Sequence, residues 1–406
     1  MRYSRRVLAA LCTVALVASC HSVADESTAP ATDSRADAVM RIVGEVMKDS
    51  HLRAVLVRVT EDGRDVVTRA AGESMTGVPA TPAMHFRNGA VAISYVATLL
   101  LRLAEQGTVG LDDRLSTWLP DVPNSDRVTL RQLGQMTSGY ADYVIGNPAF
   151  DDASYADPFR QWEPEELLAY ATSKPLLYEP GTNWNYAHTN YVLLGLALEK
   201  ATGKDMATLL STRVLEPLGL TATANSVTPD VPSPVLHSFT SERRKALGIP
   251  PGTPFYEEST FWNPSWTITR GAVQTTTIYD VAASASAIGA GTLLSRESYD
   301  LMVSTDLRGK TRGQPGCATC APMTDGYTYG MGIVTSGDWL LQNPMFAGAA
   351  GVMAYLPARK LAIAIAVTFA PEAFDADGNY SNAAQALFRR LGAELAPEHA
   401  PPVPPK

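Results

Sequence analysis

The chain has 406 residues, with 41 acidic against 33 basic side chains, a formal net charge of −8, 46% apolar content and 18% charged content. That composition is globular: too apolar for a disordered chain, and without the repeated long apolar runs of a multi-span membrane protein. An acidic balance with no clustered cationic run excludes a nucleic-acid partner from the expectations, and only eight of the basic residues are lysines.

In chain order, Arg2, Arg5 and Arg6 precede an apolar stretch over 7–17 that is too short to span a bilayer. Val17-Ala18-Ser19-Cys20 follows and resembles a bacterial lipobox. Residues 1–19 are therefore expected to be a signal peptide, Cys20 the lipidation site and 20–38 a flexible spacer. The protein would then be extracytoplasmic, lipid-anchored to the bacterial cell membrane; ordinary signal cleavage, with Cys20 incidental, is the alternative.

Helical patterning begins near Asp37 and runs to about Lys48. Two β-rich runs, 54–60 and 65–71, flank Glu61-Asp62-Gly63-Arg64, which has hairpin turn chemistry. Val91, Tyr95, Leu99 and Leu103 mark a mostly buried helix over 91–106, closed by Gly107. Helices are predicted over 129–136, 164–173, 191–202 and 206–216, and after a Pro- and Trp-rich stretch over 278–289. Strands are predicted over 329–335, 352–355 and 361–368, then a last helix over 381–395 and a disordered Pro-rich tail over 396–406.

Strands at both ends with helices between imply an α+β fold. One antiparallel sheet would be built from both chain ends, with flanking helices and an inserted helical subdomain. The domain would span 39–395, its sheet parts about 39–89 and 266–395 and its helical part about 90–265. Cys317 and Cys320, in C-x-x-C spacing, could form a redox site, half a zinc site or a small disulfide; outside the cytoplasm the disulfide is expected. No second cysteine pair or close histidine pair accompanies them, so neither a metal nor a cofactor is expected.

Several stretches resemble the serine β-lactamase and penicillin-binding-protein superfamily, in its class C-like branch. They are Phe86-Arg87-Asn88-Gly89-Ala90-Val91-Ala92-Ile93, Leu111-Asp112-Asp113, Thr137-Ser138-Gly139, Pro180-Gly181, Tyr186-Ala187-His188-Thr189-Asn190-Tyr191 and Glu216-Pro217-Leu218-Gly219-Leu220. Their order is consistent over about 40–395. The resemblance implies the β-lactamase/transpeptidase-like fold. It also implies a site in which a serine opens a buried helix and a lysine one turn later takes its proton. A tyrosine assists proton transfer, a K-x-G or H-x-G strand segment supplies a polar contact, and backbone amides stabilise the oxyanion.

On this resemblance Ala90 stands at the serine and Ile93 at the lysine. Tyr186 is retained, His188 replaces the usual asparagine, and the strand segment is matched to Phe346-Ala347-Gly348, placing Gly348 and Ala349 in the oxyanion region. No S-x-x-K, G-x-S-x-G or H-E-x-x-H exists elsewhere in the chain. Ser94 is the nearest hydroxyl on the same helix, a substitute nucleophile or a small packing residue. Tyr186 and His188 could form a proton-transfer pair, or His188 could simply hydrogen-bond in the cleft. Ser138 is expected in a turn or cap, and Trp184, Trp262, Trp266, Trp339, Tyr140 and Tyr143 either line a groove or anchor the core.

The leading expectation is a cell-envelope lipoprotein that has lost acyl-enzyme chemistry and keeps a cleft for a peptidoglycan-like, acyl or peptide ligand. Its rivals are an active esterase, β-lactamase or D,D-peptidase relative using Tyr186, His188 or Ser94, and a structural or protein-interaction module. The sequence leaves the oligomeric state open.

Overall fold

In the computed structural model, which describes residues 34–403, an antiparallel sheet joins the two ends of the chain. Its strands run in the order Val78–Pro79, Arg64–Met75, Leu52–Glu61, Leu361–Phe369, Ala349–Leu356, Trp339–Gln342, Val334–Ser336 and Thr328–Tyr329. The early strand Leu52–Glu61 lies against the late strand Leu361–Phe369, with Val57 opposite Ile365. Asp62 and Gly63, at φ +48° and +76°, make the tight turn into Arg64–Met75, a geometry whose twist matches that of the strands.

Every residue of Leu361–Phe369 is buried because helices cover both faces of the sheet. The first helix, Ser34–Asp49, turns Val39, Ile42, Val43 and Val46 inward at helical spacing. It packs with the last helix, Ala383–Leu395, against one face, while Ile278–Gly289 lies on the other. Between the sheet's two halves comes a mainly helical region whose longest elements are Val91–Glu105 and His188–Thr202. No helix among the described residues is long and apolar enough to cross a membrane.

Three local expectations need correction. The first helix begins at Ser34 and so takes in the end of the expected spacer; Cys20 and the signal segment lie outside the described residues. The tail over 396–403 is packed rather than disordered: the buried indole of Trp339 donates to the His399 carbonyl at 2.6 Å, and Pro401 fills the space that a side chain at Gly392 would occupy. The expected strand 329–335 splits into Thr328–Tyr329 and Val334–Ser336. Gly332 between them, at φ +71°, presses so close to Ala97 and the Ile93 carbonyl that a Cβ would overlap them.

Candidate functional site

The site is built where two helix N-termini meet the sheet. Asn88 fixes the first: its backbone and side chain form three hydrogen bonds of 2.6–3.0 Å with buried Gln274, on the strand Gln274–Thr276. Gly89 follows at φ +51°, where a Cβ would sit 2.6 Å from Pro344 Cβ and 3.0 Å from the Phe346 ring. The chain between the two strands Trp339–Gln342 and Ala349–Leu356 is thereby pressed against the start of Val91–Glu105, directly beside Ala90.

Ala90 caps this helix without a side-chain hydrogen bond. It offers only a methyl group. Ile93 is 1% exposed within the core, and its hydrocarbon side chain can neither accept a hydroxyl proton nor carry a positive charge. Ser94 is fully buried, donating to the Gly332 carbonyl at 2.6 Å and accepting from Gln342 Nε2 at 3.3 Å. Those bonds spend its hydroxyl on holding the helix to the sheet, so the structure gives it a packing role and no access to a ligand.

The second helix start carries the polar groups. Thr137-Ser138-Gly139 clamps it from below, Ser138 Oγ donating to Asn190 Oδ1 at 2.5 Å and Thr137 accepting from Gly181 N at 2.8 Å. Ser138 is thus a turn residue, as its sequence setting implies. Asp142, whose side chain is 1% exposed, then accepts from the His188 backbone N–H at 2.9 Å and from Ile145 N at 3.0 Å. It also faces His188 Nδ1 at 3.0 Å.

A buried carboxylate on Nδ1 favours the tautomer with the proton there and leaves the Nε2 lone pair free. No protein group bonds Nε2 among the described residues. The imidazole is boxed by Tyr186, whose ring centroid is 5.2 Å away, by Tyr143 at 5.8 Å and by Trp266 at 6.3 Å. Tyr186 and His188 therefore do come together. Burial first, then the charge of Asp142, pushes the Tyr186 phenol well above its ordinary range. No basic group offsets that rise, so the Tyr186 phenol is held in its neutral form.

The strand side differs from the expectation. Phe346 ends a short strand, Met345–Phe346, and Ala347 and Gly348, at φ +49° and +73°, form the hairpin turn. Gly348 N donates to Tyr380 Oη at 3.0 Å, which removes it from the oxyanion role. Gly351 N donates to the Pro344 carbonyl, and antiparallel pairs alternate; Phe346 and Ala349 are thus the next hydrogen-bonded pair, and Ala349 is also committed. Met345, opposite Ala350, is left with its amide facing away from Ala349–Leu356. The open amides on these adjoining segments belong to Ala90 and Met345. Sequence reasoning missed Met345 because it placed the motif at the turn instead of along the strand leading into it.

Two recesses adjoin these groups. An apolar cavity of about 60 Å³ adjoins the start of the helix Val91–Glu105, walled by Phe86, Val91, Trp262, Pro344, Phe346 and Ala350. A wide open recess of about 850 Å³ is bordered by Asp142, Lys174 and the loop of Cys317. Cys317 and Cys320 are joined as a disulfide, and no group of metal-ligating side chains occurs among the described residues. Of the aromatic candidates, Trp262 and Trp266 line cavities, whereas Trp184, Trp339, Tyr140 and Tyr143 are buried in the core.

Comparison with known proteins agrees with this architecture. The chain is 28% identical over 199 residues to Esterase EstB of Burkholderia gladioli, covering 46% of this chain and 50% of that one. It is 30% identical over 179 residues to the D-alanyl-D-alanine-carboxypeptidase/endopeptidase AmpH of Escherichia coli, covering 42% and 45%. The chain thus spans about half or less of the length of the curated relatives it matches. Among solved structures, a D-amino acid amidase from Ochrobactrum anthropi superposes with a TM-score of 0.72 at 19% identity, over 89% of this chain and 99% of that one. The penicillin-binding protein of Bacillus halodurans superposes at 0.65 with 17% identity, over 88% and 98%. These structural likenesses concern the fold. The Beta-lactamase family profile matches residues 39–388, from the first helix to the last, and with sheet, buried helix and Tyr186 segment all in the family's order the chain belongs to the Beta-lactamase family.

Proposed function

We propose that this protein is a cell-envelope member of the family that has lost acyl-enzyme chemistry and uses the cleft beside Ala90 to bind a ligand. The observation that carries the reading is the double replacement at one helix start. Ala90 brings no nucleophile, Ile93 brings no base, and the neighbouring hydroxyl of Ser94 is buried and bonded away from the cleft. What remains suits recognition: the open amides of Ala90 and Met345 for a carbonyl or carboxylate oxygen, the Tyr186 hydroxyl as a donor, and His188 Nε2 as an acceptor.

Peptides ending in D-Ala-D-Ala, small acyl compounds and peptidoglycan fragments are the ligand class that the family suggests, since AmpH is named as a D-alanyl-D-alanine carboxypeptidase and EstB as an esterase. The leader over 1–19 and the lipobox ending at Cys20 support anchoring on the outer side of the cell membrane. Equilibrium dialysis with a labelled acyl-D-Ala-D-Ala peptide tests the binding: the peptide should bind reversibly and be recovered intact. Turnover that disappears in Tyr186→Phe would overturn the reading.

The pairing of Asp142 with His188 favours a second reading, water activated by His188 with no covalent intermediate. It predicts slow ester hydrolysis that Tyr186→Phe leaves in place and His188→Ala abolishes.

A further inference from the structure

We propose that the aromatic cavity between the helix Pro148–Ala156 and the Phe346–Ala347 turn is a subsite for an organic ammonium group. The inference rests on the ligand-binding reading above and names one chemical feature of the ligand. The cavity, about 70 Å³, shares Trp262, Trp266, Phe346 and Ala347 with the apolar cavity at the start of Val91–Glu105. Trp266, its ring centroid 6.3 Å from that of His188, links the cavity to the candidate site. That space has room for a small head group.

Its walls combine two features that favour a cation. Phe150, Trp162, Trp262, Trp266 and Phe346 are among its walls, and the negative quadrupole of an aromatic ring attracts positive charge. Phe150 is the hub of the cluster, its centroid 5.3 Å from that of Trp162 and 5.9 Å from that of Trp266. Asp151, Asp157 and Glu242 supply carboxylates, and no basic side chain lines the space. None of the three is in an ion pair among the described residues, and the Asp151 carboxylate accepts no hydrogen bond.

The nearby guanidinium groups are already engaged outside the cavity. Arg160 stacks over Trp162 at 4.0 Å and pairs with Glu166, and Arg243 lies 5.8 Å from the Trp262 ring and pairs with Glu257. Two of the rings thus already attract a cation on one side. Glu242 accepts from Thr240 Oγ1 at 2.8 Å and lies beside the Ala347 and Gly348 amides, Glu257, Tyr155 and Tyr380. A buried carboxylate without an ion-pair partner is poorly solvated, and an alkylammonium group would supply the charge it lacks together with apolar contact to the aromatic walls.

Titration calorimetry on the purified chain at pH 8.5, where Glu242 is ionised, tests this with choline against its neutral isostere 3,3-dimethyl-1-butanol. Choline should bind about tenfold more tightly than the alcohol, and Glu242→Gln or Trp266→Leu should remove about that advantage, with circular dichroism confirming that each variant is folded. Asp151→Asn, on an outer helix, gives an independent variant should Glu242→Gln misfold. A parallel arm with phenethylamine and its N-acetyl derivative separates a primary from a quaternary ammonium ligand; preference for either cation over its neutral partner supports the subsite. Equal affinity for charged and neutral probes, no binding of any of them, or binding indifferent to both Glu242→Gln and Asp151→Asn would overturn it. These outcomes are independent of acylation: a covalent β-lactam adduct in the same preparation would defeat the non-acylating reading and leave the ammonium result standing.

Discussion

The two helix starts of the candidate site carry opposite kinds of group. At Val91–Glu105 the groups are inert: a methyl at Ala90, a buried hydrocarbon at Ile93, and a hydroxyl at Ser94 turned into the sheet. At His188–Thr202 it concentrates polar groups, with Tyr186 and His188 edge to face and Asp142 buried beneath the imidazole. Both helices are fastened to the scaffold by buried hydrogen bonds, the first through Asn88 and Gln274, the second through Ser138 and Asn190. The bonds that place each helix are thus made by residues other than Ala90, Ile93, Tyr186 and His188.

Several experiments can break or sharpen that contrast. The largest effect is expected from Asp142→Ala, which takes a buried acceptor from the His188 backbone amide, the imidazole and the Ile145 amide together. It should lower unfolding stability by about 3 kcal/mol in urea denaturation and release the histidine ring. A loss below about 1 kcal/mol would mean that Asp142 is not the anchor of the second helix start. Ser94→Ala should cost only about 1 kcal/mol, the worth of its bond to Gly332, and should leave ligand affinity unchanged. A loss of binding or of any hydrolysis in that variant would return Ser94 to the site.

A separate effect is a pH dependence. Burial raises the Glu242 carboxyl from its ordinary value to about 7, against weaker opposition from Thr240 and the Gly348 and Ala347 amides, with Glu257 adding to the rise. The folded chain thus holds a proton that the unfolded chain has already released. This group's contribution favours the fold fully below about pH 4.5 and is lost as pH rises through about 7. Denaturation midpoints measured from pH 5 to 8 should show this component in the parent chain and lack it in Glu242→Gln. The same slope in both would assign it elsewhere.

What could be read in advance followed the range of the interactions. The helix Ile278–Gly289 and the strand pair around Asp62-Gly63 were legible because periodicity and turn chemistry are local. The strand Trp339–Gln342 was not, since it is short and Asn343-Pro344 interrupts the pattern before Met345–Phe346 resumes it. Tyr186 and His188 were visible as neighbours in the chain, but Asp142 lies 46 residues earlier, and nothing in its own surroundings marks it as the partner of an imidazole. Glu242 was invisible for a similar reason: its burial comes from the Ala347–Gly348 turn and Tyr380, both far along the sequence.

If the chain forms no acyl-enzyme, intact mass spectrometry after prolonged incubation with a reporter β-lactam should show the unmodified mass throughout. A stable increase by the mass of the β-lactam, mapped to a residue at either helix start, would mean that acylation survives here.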